Sequence, residues 1–178
     1  MHKQNKIFSK GIKICKNAYN EIIIKVTKNL GKEVKLMSKS STILIVYFSF
    51  DDGANLEVER LRRKTKADII KLEPENPYPS DYVERLTIIE REFQRGDLPR
   101  IKTCLPNLND YHEIYLGYPP IFGNRLPSII HSFFASFDLK GKTVIPFSEI
   151  VEEPLRATLC EMNELAQKYK VKLVNREA

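Results

Sequence analysis

The strongest constraint on this chain is an alternation along its length. Short apolar runs rich in β-branched and aromatic residues are separated by longer, charged, amphipathic stretches. The runs are Ile43 to Phe48, Ala67 to Leu72, Glu113 to Leu116, GKTVIPF at 141–147 and VKLVN at 171–175. Ile43 to Phe48 has no polar alternation, as expected of a strand buried on both faces. The stretches between them predict helices. Ala54 to Thr65 carries an apolar stripe that includes Leu56 and Leu61. A longer helix opens at Pro79, with Ser80 as candidate cap, and runs through about Arg95 to Gly96. Leu126 to Phe137 and Glu153 to Tyr169 follow, the latter with Pro154 tolerated in its first turn. Five strands separated by helices require parallel pairing through right-handed crossovers. The expected fold is therefore α/β, a doubly wound five-stranded parallel sheet in a three-layer α/β/α sandwich.

In such sheets ligands sit outside the carboxyl ends of the strands, where the strand order reverses. That rule singles out three loops: SFDDGAN at 49–55, GYPPIFGN at 117–124 and PFSEIVEE at 146–153. In the first, Ser49, Gly53 and Asn55 suit a phosphate, which needs backbone N–H groups, hydroxyls and a helix N-terminus. Asp51 and Asp52 oppose one. A carboxylate ~6 Å from a phosphate charge costs roughly 0.7 kcal/mol at water-like screening and ~3 at an effective dielectric of 20. Acids also suit helix starts, so an ordinary capped loop is the competing reading. A magnesium pocket built on the paired acids would need an aspartate after the third strand. The sequence there is Leu116-Gly117-Tyr118-Pro119, so no metal site is expected.

In the second loop Pro119 and Pro120 fix the backbone, while Gly117 and Gly123 allow close approach. Tyr118 and Phe122 can either flank a flat aromatic ligand or pack into the core. The third loop offers Ser148 and then Glu149, Glu152 and Glu153, a negative edge. His112 and His131 have no partners in catalytic spacing and read as structural.

Charge divides the chain. Residues 1–41 hold ten lysines against Glu21 and Glu33, a net of +8 within the overall +6. The remainder is thus slightly acidic. The basic segment lacks arginine and interleaved aromatics, so nucleic acid is not an expected partner. It reads as an N-terminal extension outside a domain spanning 42–178, poorly ordered, with Met37 a candidate start. No apolar run approaches the ~20 residues that cross a bilayer. Cys15, Cys104 and Cys160 are scattered without metal-ligand spacing, so thiols in a reducing cytoplasm are expected.

The ordered series of local motifs resembles the flavodoxin-like proteins, in particular a bacterial flavodoxin-domain branch. It comprises Tyr47-Phe48-Ser49, Pro77-Tyr78-Pro79 followed by Tyr82, Leu105-Pro106 with Asp110-Tyr111, and Leu116-Gly117-Tyr118-Pro119. Phe137-Asp138-Leu139, Gly141-Lys142-Thr143 and Ile145-Pro146-Phe147 complete it. The resemblance implies FMN as cofactor, and electron transfer or NAD(P)H-linked reduction as activity, with a redox protein as partner. Carried over by position, Ser49, Phe50, Asp51, Asp52, Gly53, Ala54 and Asn55 would hold the FMN phosphate. Tyr118, Pro119, Pro120, Ile121, Phe122 and Gly123 would border the flavin ring on one side, with Ser148 and Glu149 on the other. No residue stands out as a catalytic acid, base or nucleophile, as expected where a cofactor carries the chemistry. Three departures stand against this. Asp51 and Asp52 replace a central hydroxyl, Ile121 and Phe122 stand where the family carries tryptophan, and SEIVEEPL lacks a Gly/Ser-rich stretch. They favour an alternative, a flavin-free flavodoxin-like binding or scaffolding module.

Overall fold

The computed structural model describes residues 42–50, 55–148 and 152–175. Strand β1 is Ile43–Tyr47, β2 Asp68–Lys71, β3 Glu113–Gly117, β4 Thr143–Phe147 and β5 Lys172–Leu173. Helix α1 is Leu56–Thr65, α2 Tyr82–Arg95, α3 Ser128–Ser136 and α4 Glu152–Tyr169. All strand pairs are parallel, in the order β2-β1-β3-β4-β5. The chain moves one way from β1 to β2 and the other way afterwards, so the order reverses between β1 and β3. This is the expected doubly wound sheet, and it sets the ligand crevice at the carboxyl ends of those two strands.

The pleat sends alternate residues to opposite faces. Leu44, Val46, Ile114, Leu116 and Val144 meet Ile129, Ile130, Phe133 and Phe134 of α3 and Met162, Leu165 and Ala166 of α4. Ile45, Tyr115, Ile145 and Phe147 lie on the other face with Val58 and Leu61 of α1. Ile45, Leu44, Ile114 and Leu116 are all fully buried. Continuous apolar runs in β1 and β3 are thus explained by helices on both sides. Pro146 is accommodated within β4 because its nitrogen points toward β5. That strand pairs only with Thr143 and Val144, so no ladder bond is lost.

Several boundaries differ from the sequence expectation for local reasons. Helix α2 is capped by Asp81, whose side chain accepts from Glu84 N at 2.8 Å, and not by Ser80. Its far end does close at Gly96, in the left-handed region at φ 67°. Helix α3 starts at Ser128 because Pro127 holds an extended ψ of 140° and disfavours helix at Leu126 before it. Leu56 is 81% exposed and lies outside the apolar stripe of α1. Five residues from Leu61, it sits about 140° round the helix, whereas Val58 is about 60° away. Cys160 is a free, exposed thiol.

Candidate functional site

A small cleft of about 40 Å³ opens at the carboxyl ends of β1, β3 and β4, where the strand order reverses. Phe48, Ser49, Asn55, Tyr118, Pro119, Phe147 and Ser148 line it. That volume is far below the roughly 300–1,000 Å³ usual for small-molecule sites.

One wall is the start of α1. Asn55 is its N-cap, with the side-chain oxygen accepting from Val58 N at 2.8 Å. A helix leaves its first N–H groups without intrahelical partners, and among the described residues the side chain of Asn55 satisfies that of Val58. This end of α1 therefore favours an anion through its remaining donors and its dipole. The acids of its first turn face internal competition. Glu57 pairs with Arg60 at 2.6 Å and Glu59 with Arg62 at 3.5 Å, which moderates their repulsion. Phe48, Phe50 and Tyr78 pack edge to face with centroids 4.8–5.9 Å apart. The guanidinium of Arg85 sits 4.9 Å over Phe50.

The second wall follows β3. Gly117 is required there because the ring of Phe147 lies against its backbone. A Cβ at that position would fall within 2.9 Å of three ring atoms. Tyr118 turns to the opposite face. It is 3% exposed, and its hydroxyl meets Thr158 Oγ1 of α4 at 2.9 Å. Thr158 donates onward to Leu155 O, so Tyr118 is the donor in that bond. Burial, reinforced by nearby Glu161, pushes the Tyr118 phenol up to about 12 although the Thr158 hydrogen bond opposes the shift. Beyond it the chain makes a tight hairpin. Ile121 N donates to Arg125 O at 2.8 Å, and Arg125 N to Ile121 O at 2.9 Å. Phe122 and Gly123 at its tip both have positive φ, 50° and 80°. Phe122 is 53% exposed and stands 6.0 Å from Phe93 of α2.

Five sequence-predicted site residues thus come together in the cleft: Ser49, Asn55, Tyr118, Pro119 and Ser148. Phe50 instead packs away with Phe48 and Tyr78. Pro120, Ile121, Phe122 and Gly123 are not among the lining residues, and Ile121 is buried. Asp51, Asp52, Gly53, Ala54 and Glu149 lie outside the described residues. Phe48 and Phe147 were missed by the sequence reading. Each sits at the carboxyl end of its strand, so the switch-point rule contained the signal. His131, expected to be structural, has its Nε2 2.9 Å from Oε1 of Glu161. Among the described residues no cluster of His, Cys, Asp or Glu is arranged to hold a metal ion.

A family model for flavodoxin matches residues 42–174, the whole of the described sheet with its helices. The chain belongs to the flavodoxin family. No curated protein matches it. Among solved structures, a Bacteroides uniformis protein assigned to the flavoproteins is 23% identical, with a TM-score of 0.62. The match covers 79% of this chain and 94% of that one. A similarly assigned Bacteroides eggerthii protein is 26% identical over 76% of this chain and 89% of its own, TM-score 0.61. A Lactobacillus acidophilus flavoprotein in complex with FMN is 19% identical over 75% and 89%, TM-score 0.62. Among the described residues no helix is long and apolar enough to cross a membrane.

Proposed function

We propose that this flavodoxin binds FMN in the cleft between β1 and β3 and works in electron transfer or NAD(P)H-linked reduction. The observation that carries the reading is the cleft itself. It joins a capped helix N-terminus and hydroxyls at one end to an apolar wall at the other. That donor set fits a phosphate attached to a flat aromatic ring. Ser49, Asn55 and the first N–H groups of α1 would hold the phosphate. Tyr118, Pro119 and Phe147 would border the ring, with Ser148 opposite. When bound, FMN supplies the ability to accept and release electrons one or two at a time. The chain's own part is to orient the ring, exclude water from one face and offset the phosphate charge. The FMN carried by the Lactobacillus relative supports the choice of ligand.

A second reading, a flavin-free module, draws support from the burial of Tyr118 in the core and the modest cleft volume. Flavin absorbance of the purified protein, followed by FMN titration with fluorescence quenching, separates the two. Quenching that saturates supports the first; a colourless protein with no quenching supports the second. A cytoplasmic setting was the expectation from cysteine usage.

A further inference from the structure

We propose that Glu161 of α4 is a positioning residue that fixes the β3 wall of the cleft from behind, in the flavin-binding role put forward above. Its carboxylate reaches two elements at once. Oε2 accepts from the backbone N–H of Leu126 at 2.8 Å, and Oε1 lies 2.9 Å from Nε2 of His131 on α3. Leu126 is fully buried and ends the segment that begins at Tyr118. One helical turn earlier on the same face of α4, Thr158 takes the hydroxyl of Tyr118. Both ends of the segment 118–126 are therefore tied to one helix.

The tie is stiff on the α4 side. Met162 is fully buried and Leu165 and Ala166 nearly so, which fixes the helix against the sheet. Between the tied ends, the Ile121–Arg125 hairpin closes on itself through backbone bonds. Tyr118 and Pro119, the cleft-lining residues of this wall, stand at the first tied end. Helix α4 also begins immediately after the third loop, whose Ser148 lines the same cleft. Glu161 thus couples the wall after β3 to the helix that follows the wall after β4. It does this without being among the lining residues.

The buried donor is what makes the tether matter. Removing the acceptor oxygen leaves the buried Leu126 N–H without a partner, which costs more than the hydrogen bond itself contributes. His131 completes the anchor by orienting the other carboxylate oxygen.

Hydrogen exchange on the whole chain, read beside FMN titration, tests the role. Glu161→Ala removes the tether, and Glu161→Met does so with side-chain volume kept should the alanine variant fail to fold. Glu161→Gln retains an oxygen that accepts from Leu126. The informative amides are those of Ile121, Asn124 and Arg125, whose own partners do not include Glu161. In the disrupting variant they should exchange about tenfold faster while amides of β1 and β3 stay as in wild type, and the FMN dissociation constant should rise about tenfold. In Glu161→Gln both readouts should stay within about threefold of wild type. Unchanged hairpin exchange in the disrupting variant overturns the proposal. So does equal acceleration of the sheet amides, which marks a general loss of stability. If wild-type protein binds no FMN, the functional reading falls, and the hairpin exchange alone decides whether Glu161 fixes the wall.

Discussion

Replacing Gly117 by alanine probes the closest packing at the cleft. A Cβ there would sit 2.8 and 2.9 Å from Cε2 and Cε1 of Phe147, and closer still to Cζ. Phe147 is 8% exposed, packed with Ile145, Tyr115 and Val58, so the ring has little room except toward the cleft it lines. Overpacking of this kind costs about 1–3 kcal/mol. Alanine also narrows the unfolded ensemble, which offsets about 0.4–1 kcal/mol. The clash wins, leaving a net loss of about 1–2 kcal/mol. At about 2–4 °C per kcal/mol for a chain of this length, Tm should fall by roughly 2–8 °C. Thermal unfolding followed by circular dichroism reads the shift. Phe147→Leu in the Gly117→Ala background should recover part of the loss, because the smaller side chain leaves space for the new methyl. The coupling measured by that double-mutant cycle isolates the contact. An unchanged Tm in Gly117→Ala, or additive losses in the double variant, would refute the reasoning.

Other outcomes follow from the same contacts. Tyr118→Phe removes the hydrogen bond to Thr158 and should cost about 0.5–1.5 kcal/mol in urea unfolding near neutral pH. In the wild-type fold the Tyr118 phenol is raised by burial from 10.0 to about 12, so the unfolded chain releases that proton first. Its stabilising contribution is full below the unfolded value and is lost as pH rises between the two; urea midpoints across that alkaline window should fall more steeply in wild type than in Tyr118→Phe. Burial raises the Glu92 carboxyl despite hydrogen bonds from Tyr78 and Ser128. The raised group favours the fold below its unfolded value and loses that contribution as pH rises through its folded one. Stability of Glu92→Gln relative to wild type should therefore increase from the acid range toward neutrality, measured by urea midpoints at both. Asp81→Ala should lose about 1 kcal/mol through the α2 cap, while Ser80→Ala should stay near wild type in the same assay.

The sheet was legible in the sequence because β1 and β3 are buried on both faces and carry uninterrupted apolar runs. Helices were legible as charged, amphipathic stretches between those runs, and Leu61 was rightly placed on the apolar stripe of α1. Helix starts were less so. Ser80 and Asp81 are both competent caps, and only the backbone turn chooses between them. Leu56 resembled a core residue by type, yet its angular position puts it in water. At the candidate site, the switch-point rule pointed to loops that contribute to the cleft, and five of the expected residues meet there. The fate of Tyr118 was not legible. Whether it stacks on a ligand or enters the core depends on Thr158, forty residues later in sequence and brought near only by α4. Glu161 was hidden in the same way, as one acid among several on a charged helix until the fold set Leu126 and His131 against it.

The account's central claim is that the cleft between β1 and β3 holds FMN. Titrating the purified chain into FMN and following flavin fluorescence is its most direct test. The account predicts saturable quenching that is weakened in Asn55→Ala, because the α1 cap helps hold the phosphate. FMN fluorescence that stays unchanged as protein is added in excess, from a preparation with no flavin absorbance of its own, would contradict it.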